Sequence, residues 1–136
     1  MTRGRNVLRR VVLAVTGVTL VAVGGGVALV PQAFYGGYGI TLADGAQLLG
    51  ELRASGLALL LLGALVGTGA LVGRLAPTSA LVGTVTMLAH AAGRLLSWIA
   101  DGGLAPGLVA AGVAELVLGT ACLWVLRPRR ERSADE

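Results

Sequence analysis

From Val11 to Val30 the chain carries no charged side chain; arginines stand just before this run and Pro31 ends it. About 20 residues at ~1.5 Å each span the ~30 Å hydrocarbon core of a bilayer. Further apolar runs follow at about 51–72, 78–99 and 106–126, separated by stretches rich in Gly, Pro and polar residues. Runs of this length, cut by helix-ending residues, predict an all-α fold: an integral membrane four-helix bundle.

Composition agrees. Hydrophobic residues make up 55% of the 136-residue chain and charged residues 13%, against roughly 25% charged in a soluble domain. Too little polar surface remains to clothe a soluble globule. The formal net charge of +4 raises the question of nucleic acid. The arginines sit mostly at the two termini beside apolar runs, and no aromatic residues interleave with them as in single-strand binders. No nucleic-acid partner is expected. The one cysteine, Cys122, lies in an apolar run with no metal-ligand spacing around it, and reads as a packing residue.

The chain divides into a basic head (1–10), a transmembrane domain (11–126) and a charged tail (127–136) that is expected to be disordered. A basic head before an apolar run also suits a signal peptide, and Gly26-Val27-Ala28 has a small-x-small pattern; it falls within the run, which is longer than a usual signal core. Four segments put both termini on one side. The arginines of the head, Arg74 and those of the tail then share that side, and the positive-inside rule makes it the cytoplasm. Only Arg53 and Arg94 fall elsewhere.

Residues 31–50 form the longest connection. Its glycines are expected to deny it a regular helix at its start. Phe34, Tyr35 and Tyr38 suit a membrane interface, as an anchor or as a lid over an outward-facing site. In the second segment Gly56, Gly63 and Gly67 share one face, and Gly63-x-x-x-Gly67 offers a small-residue surface for close helix approach. Ala-Asp-Gly occurs twice, at Ala43-Asp44-Gly45 and Ala100-Asp101-Gly102, each before an even-numbered segment, as a duplicated hairpin would place it.

The third segment holds the polar residues that call for an explanation. His90, Arg94, Ser97 and Asp101 follow at steps of four, three and four, one stripe of a helix. Intramembrane charge is costly and faces partners or a cavity. Glu51 and Glu115 in neighbouring segments are the natural partners. Counting helical rise from each segment's start brings His90 and Glu115 to similar depth, with Arg94, Asp101, Glu51 and Arg53 one to two turns further out. The candidate ligand-binding set is therefore Glu51, Arg53, His90, Arg94, Ser97, Asp101 and Glu115. It reads as a pocket in which Arg94 grips an anionic head group, as a structural ion network, or as a proton-exchanging His90–Glu115 pair. No catalytic residue is assigned, and no set has metal-ligand spacing.

The motifs Glu51-Leu52-Arg53-x-x-Gly56, Gly93-Arg94-x-x-Ser97 and Asp101-Gly102, with Glu115 mid-way through the fourth segment, resemble those of a bacterial family of small four-helix membrane proteins known as a domain of unknown function. In size and layout the chain is similar to the DoxX-like group. The resemblance covers nearly the whole chain apart from head and tail. It implies a four-helix bundle in the plasma membrane and no established activity. By analogy alone it suggests a quinone or lipid ligand, since DoxX-like relatives include quinone-linked oxidoreductase subunits. The leading expectation is an accessory membrane protein binding a small amphipathic molecule, a partner helix or another copy of itself. The rivals are a redox subunit or enzyme using His90 and Glu115, and an oligomeric pore or transporter.

Overall fold

A computed structural model of the chain describes residues 2–127, with side chains from Gly4 onward. It is helical, with no strand among the described residues. The helices are α1 (Thr2–Leu29), a short α2 (Pro31–Gly36), α3 (Ala46–Leu71), α4 (Ala76–Asp101) and α5 (Pro106–Leu126), and a 3₁₀ turn, Gly73–Leu75, joins α3 to α4. Four of them are long and apolar enough to cross a membrane. The tail beyond residue 127 and the side chain of Arg3 in the head lie outside the described residues.

The helix ends follow local chemistry. α1 begins well before Val11, because the arginines of the head are good helix formers. Pro31 stops it, since the residue before a proline is pushed out of the helical region; Val30 has φ −136° and ψ 57°. The same Pro31 then opens α2, where its fixed φ and missing N–H suit the first helical position. The connection thus begins in a helix, against the expectation from its glycines. α3 starts at Ala46, a full turn before Glu51, because Ala-Gln-Leu-Leu favours helix once Gly45 is passed. Pro77 falls in the first turn of α4. Gly102, at φ 80°, closes α4 in the left-handed conformation, its N–H bonded to the Trp98 carbonyl at 3.2 Å. The two Ala-Asp-Gly triplets play different parts: Gly45 is the extended residue before α3, whereas Asp101-Gly102 ends α4.

The long helices pair as two antiparallel hairpins, α1 with α3 and α4 with α5. In the first, backbones meet through glycine. A Cβ on Gly17 would stand 2.7 Å from the Gly67 nitrogen, one on Gly24 2.6 Å from the Gly56 carbonyl oxygen, one on Gly56 2.5 Å from the Ala28 nitrogen and one on Gly63 2.6 Å from the Val21 nitrogen. No side chain fits there. The face expected on the second segment is real at Gly56 and Gly63. A Cβ on Gly67 would meet nothing, so that position supplies backbone for Gly17 to rest on. Val27 and Ala28, of the small-x-small pattern, are buried.

The hairpins join in one half of the molecule. Leu13, Thr16, Val66, Ser79, Met87 and Cys122 are almost fully buried there. The Ser79 hydroxyl donates to the Leu65 carbonyl at 2.9 Å, and Thr16 Oγ1 lies 3.4 Å from Cys122 Sγ, each satisfying a polar atom inside the core. The turn Gly73–Leu75 closes this end, with the Arg9 guanidinium lying against Gly73; it is called the arginine end below. The opposite, tyrosine end holds α2 and the connections 37–45 and 102–105.

Candidate functional site

On α4 the buried residues run from Ala76 to Met87 and stop. On α5 only Gly119 and Cys122 are buried, both toward the arginine end. One helical turn beyond Met87 the same face of α4 presents His90 exposed. The stripe His90, Arg94, Ser97, Asp101 continues the face that packs the core, carried past the point where packing ends. The tyrosine-end halves of α4 and α5 lean mainly on each other, and the polar residues sit at that open seam.

Arg94 crosses the seam to Glu115. Its Nε donates to Oε2 at 2.8 Å and its Nη2 to Oε1 at 3.0 Å, a bidentate pair with side chains 25% and 14% exposed. Gly112 makes room: a Cβ there would stand 3.3 Å from Arg94 Cδ. Sequence reasoning missed Gly112, although a small residue three before Glu115 shares its face of the helix.

Of the seven candidates, the structure brings together Arg94 and Glu115 alone. His90 Nδ1 lies 2.9 Å from the Thr86 carbonyl oxygen of its own helix. A carbonyl only accepts, so Nδ1 carries a proton, and in the neutral ring Nε2 is an acceptor. In an antiparallel hairpin, register is counted from the shared turn: Arg94 stands seven residues before the end of α4, His90 eleven, and Glu115 nine after the start of α5. Glu115 thus lies at a depth midway between the two, close to His90 as expected, and it is side-chain direction and reach, not depth, that give it to Arg94. Ser97 is half-buried on the stripe. Glu51, Arg53 and Asp101 are exposed and form no ion pair with another described residue. The expected network is, among the described residues, a single pair. No group of His, Cys, Asp or Glu among the described residues is placed to hold a metal ion.

The tyrosines bound the seam on one side. The Tyr38 ring lies where a Cβ on Gly107 would be, 2.6 Å from its Cδ1, so the connection after α2 reaches over to the first turn of α5. Phe34 stacks edge-on against Tyr35 and Tyr38 with ring centroids 5.5 Å apart in each case. On the other side, between α4 and α5, runs a groove of about 450 Å³ with an almost wholly apolar wall, including Leu95, Trp98, Leu108 and Val113, and with Arg94 at its edge.

These features define a class: a protein helical among its described residues, with four helices of membrane-crossing length and composition, packed at one end and, between α4 and α5, open at the other around the one ion pair of the described residues. The chain belongs to the family described as Domain of unknown function (DUF4345), whose model matches residues 8–126. No curated protein and no solved structure matches it.

Proposed function

We propose that this is a four-span protein of the plasma (inner) membrane, with both ends cytoplasmic, whose open half binds an amphipathic molecule from the bilayer. The topology rests on charge. Arg5, Arg9, Arg10, Arg74 and Arg127 gather at the arginine end, whereas Asp44, Glu51 and Asp101 lie at the other. The positive-inside rule turns the arginine end to the cytoplasm. The open seam then faces the outer leaflet.

The observation that carries the binding reading is the Arg94–Glu115 pair, partly exposed along the stretch of α4 beyond Met87 and of α5 before Gly119, where neither helix has a buried residue. A pair serving register alone is better shielded between packed helices; here apolar groove and polar stripe flank it. That combination suits a ligand with a polar head and a hydrocarbon body. The similarity in layout to the DoxX-like group keeps a quinone among the candidates by analogy. An enzyme moving protons between His90 and Glu115 draws no support from the geometry, since each is bonded elsewhere.

Native mass spectrometry of the protein released from its own membrane in mild detergent tests the reading. A discrete bound amphiphile, lost in Arg94→Ala while helicity is kept, is the expected result. A bare protein, or one with the same bulk phospholipid in wild type and variant, overturns it.

A further inference from the structure

The closed ion pair has a consequence for what the seam accepts, and it rests on the binding reading above. Arg94 gives both of its carboxylate-matching donors, Nε and Nη2, to Glu115. An anionic head group arriving at Arg94 would find that fork occupied and a carboxylate beside it. In a low-dielectric setting like charges at such range repel strongly, and opening the pair to admit the anion would leave Glu115 unpaired. The two charges of the pair cancel, and the further charge on the stripe, the exposed Asp101 carboxylate, is itself negative, so the stripe offers an anion no free positive charge.

What it does present is a pattern of neutral hydrogen bonding. The guanidinium keeps N–H donors beyond the two spent on Glu115. One turn back on the stripe, about 5–6 Å away, the exposed His90 ring offers Nε2 as an acceptor, because Nδ1 is tied to the Thr86 carbonyl. Ser97, the next residue of the stripe after Arg94, adds a hydroxyl that both donates and accepts. A matching head group carries a hydroxyl to donate to His90 and a carbonyl or ether oxygen to accept from Arg94, and bears no charge.

We propose that the seam between α4 and α5 selects neutral hydroxylated amphiphiles of the acylglycerol type over anionic phospholipids, and that Glu115 is the residue that sets this preference. Glu115 acts as an internal counter-ion that occupies the place an anionic ligand would take. Removing its charge frees the Arg94 fork and inverts the preference.

The test is competition in detergent, read by native mass spectrometry, between dioleoylglycerol and dioleoylphosphatidylglycerol at equal concentration. The chains match, so the head group alone differs. Wild-type protein retains the neutral lipid in excess. Glu115→Gln, which keeps size and shape, shifts the ratio of bound anionic to neutral lipid upward by about tenfold or more, the effect of one charge-assisted interaction. His90→Ala, on an exposed ring and safe for the fold, lowers retention of the neutral lipid without raising that of the anionic one. Preferential retention of phosphatidylglycerol by wild type, lost in Arg94→Ala, overturns the selectivity and leaves the binding reading standing. Equal retention of both lipids, unchanged in all three variants, overturns the binding reading itself. Should Glu115→Gln lose its helicity, the wild-type preference and the His90→Ala result decide between the same outcomes.

Discussion

The two hairpins solve one problem in opposite ways. α1 and α3 come together by having no side chains at the crossing: Gly17, Gly24, Gly56 and Gly63 let backbone rest on backbone. Over their tyrosine-end halves α4 and α5 are held by two of the longest polar side chains in the chain, with Gly112 cleared to let Arg94 across. In a bilayer helix association gains nothing from hiding apolar surface, so close packing and interhelical hydrogen bonds remain as glue. The first hairpin uses packing and is closed along its length. The second uses a polar bond and stays open. Contact through glycine leaves no group for a ligand to bind, whereas a polar bridge leaves spare donors and acceptors beside it.

Breaking the first hairpin is expected to have the largest effect. Gly24→Leu puts a side chain into the Gly56 carbonyl and the Leu60 backbone. Neither can yield, and the loss is on the order of 3 kcal/mol or more, read as unfolding at lower SDS fraction by circular dichroism. An unchanged midpoint would show that α1 and α3 do not cross there. Breaking the second hairpin comes next. Arg94→Leu leaves the Glu115 carboxylate alone among apolar helices and costs about 2 kcal/mol, less than a fully buried pair because a quarter of the Arg94 side chain is exposed. The double variant Arg94→Leu, Glu115→Leu sharpens the comparison. It removes both charges and returns stability to within about 1 kcal/mol of wild type, since apolar replacements of a buried pair are commonly neutral. A double variant no better than the single one would mean that loss of the interhelical bond accounts for the whole effect of Arg94→Leu and the orphaned carboxylate for none of it. The smallest effects mark where neither device operates. Gly67→Ala meets nothing, and His90→Ala removes an exposed ring bonded to its own helix; each stays within about 0.5 kcal/mol.

Much of the fold is legible in the sequence, because apolar run length and the placing of Pro31, Pro77, Gly102 and Pro106 are local properties. The helical head and α2 are harder to read: arginine beside an apolar run is a topology signal but also extends a helix, and Pro31 is both the end of one helix and the beginning of the next. Gly56 and Gly63 were visible as a small-residue face, but their partners Gly17 and Gly24 lie in another run, and only assembly shows which glycines meet. At the site, the stripe on α4 is recognisable from spacing alone. Its pairing is not, since Glu115 lies midway in depth between His90 and Arg94, and only side-chain direction and reach give it to Arg94. Glu51, Arg53 and Asp101 were drawn into the cluster by depth, a single coordinate that says nothing about the direction in which a side chain points.

The Arg94–Glu115 register is counted from the connection Gly102–Ala105, and this makes the length of that connection a heritable constraint. One residue gained inside α5 before Glu115 turns every later position by about 100° and carries the carboxylate off the seam. The same insertion among residues 41–45, past the Tyr38 ring that reaches Gly107, alters only the reach of a mostly exposed segment. Lineages of this chain are therefore expected to vary freely in length between α2 and α3 and to hold the distance from Arg94 to Glu115 unchanged.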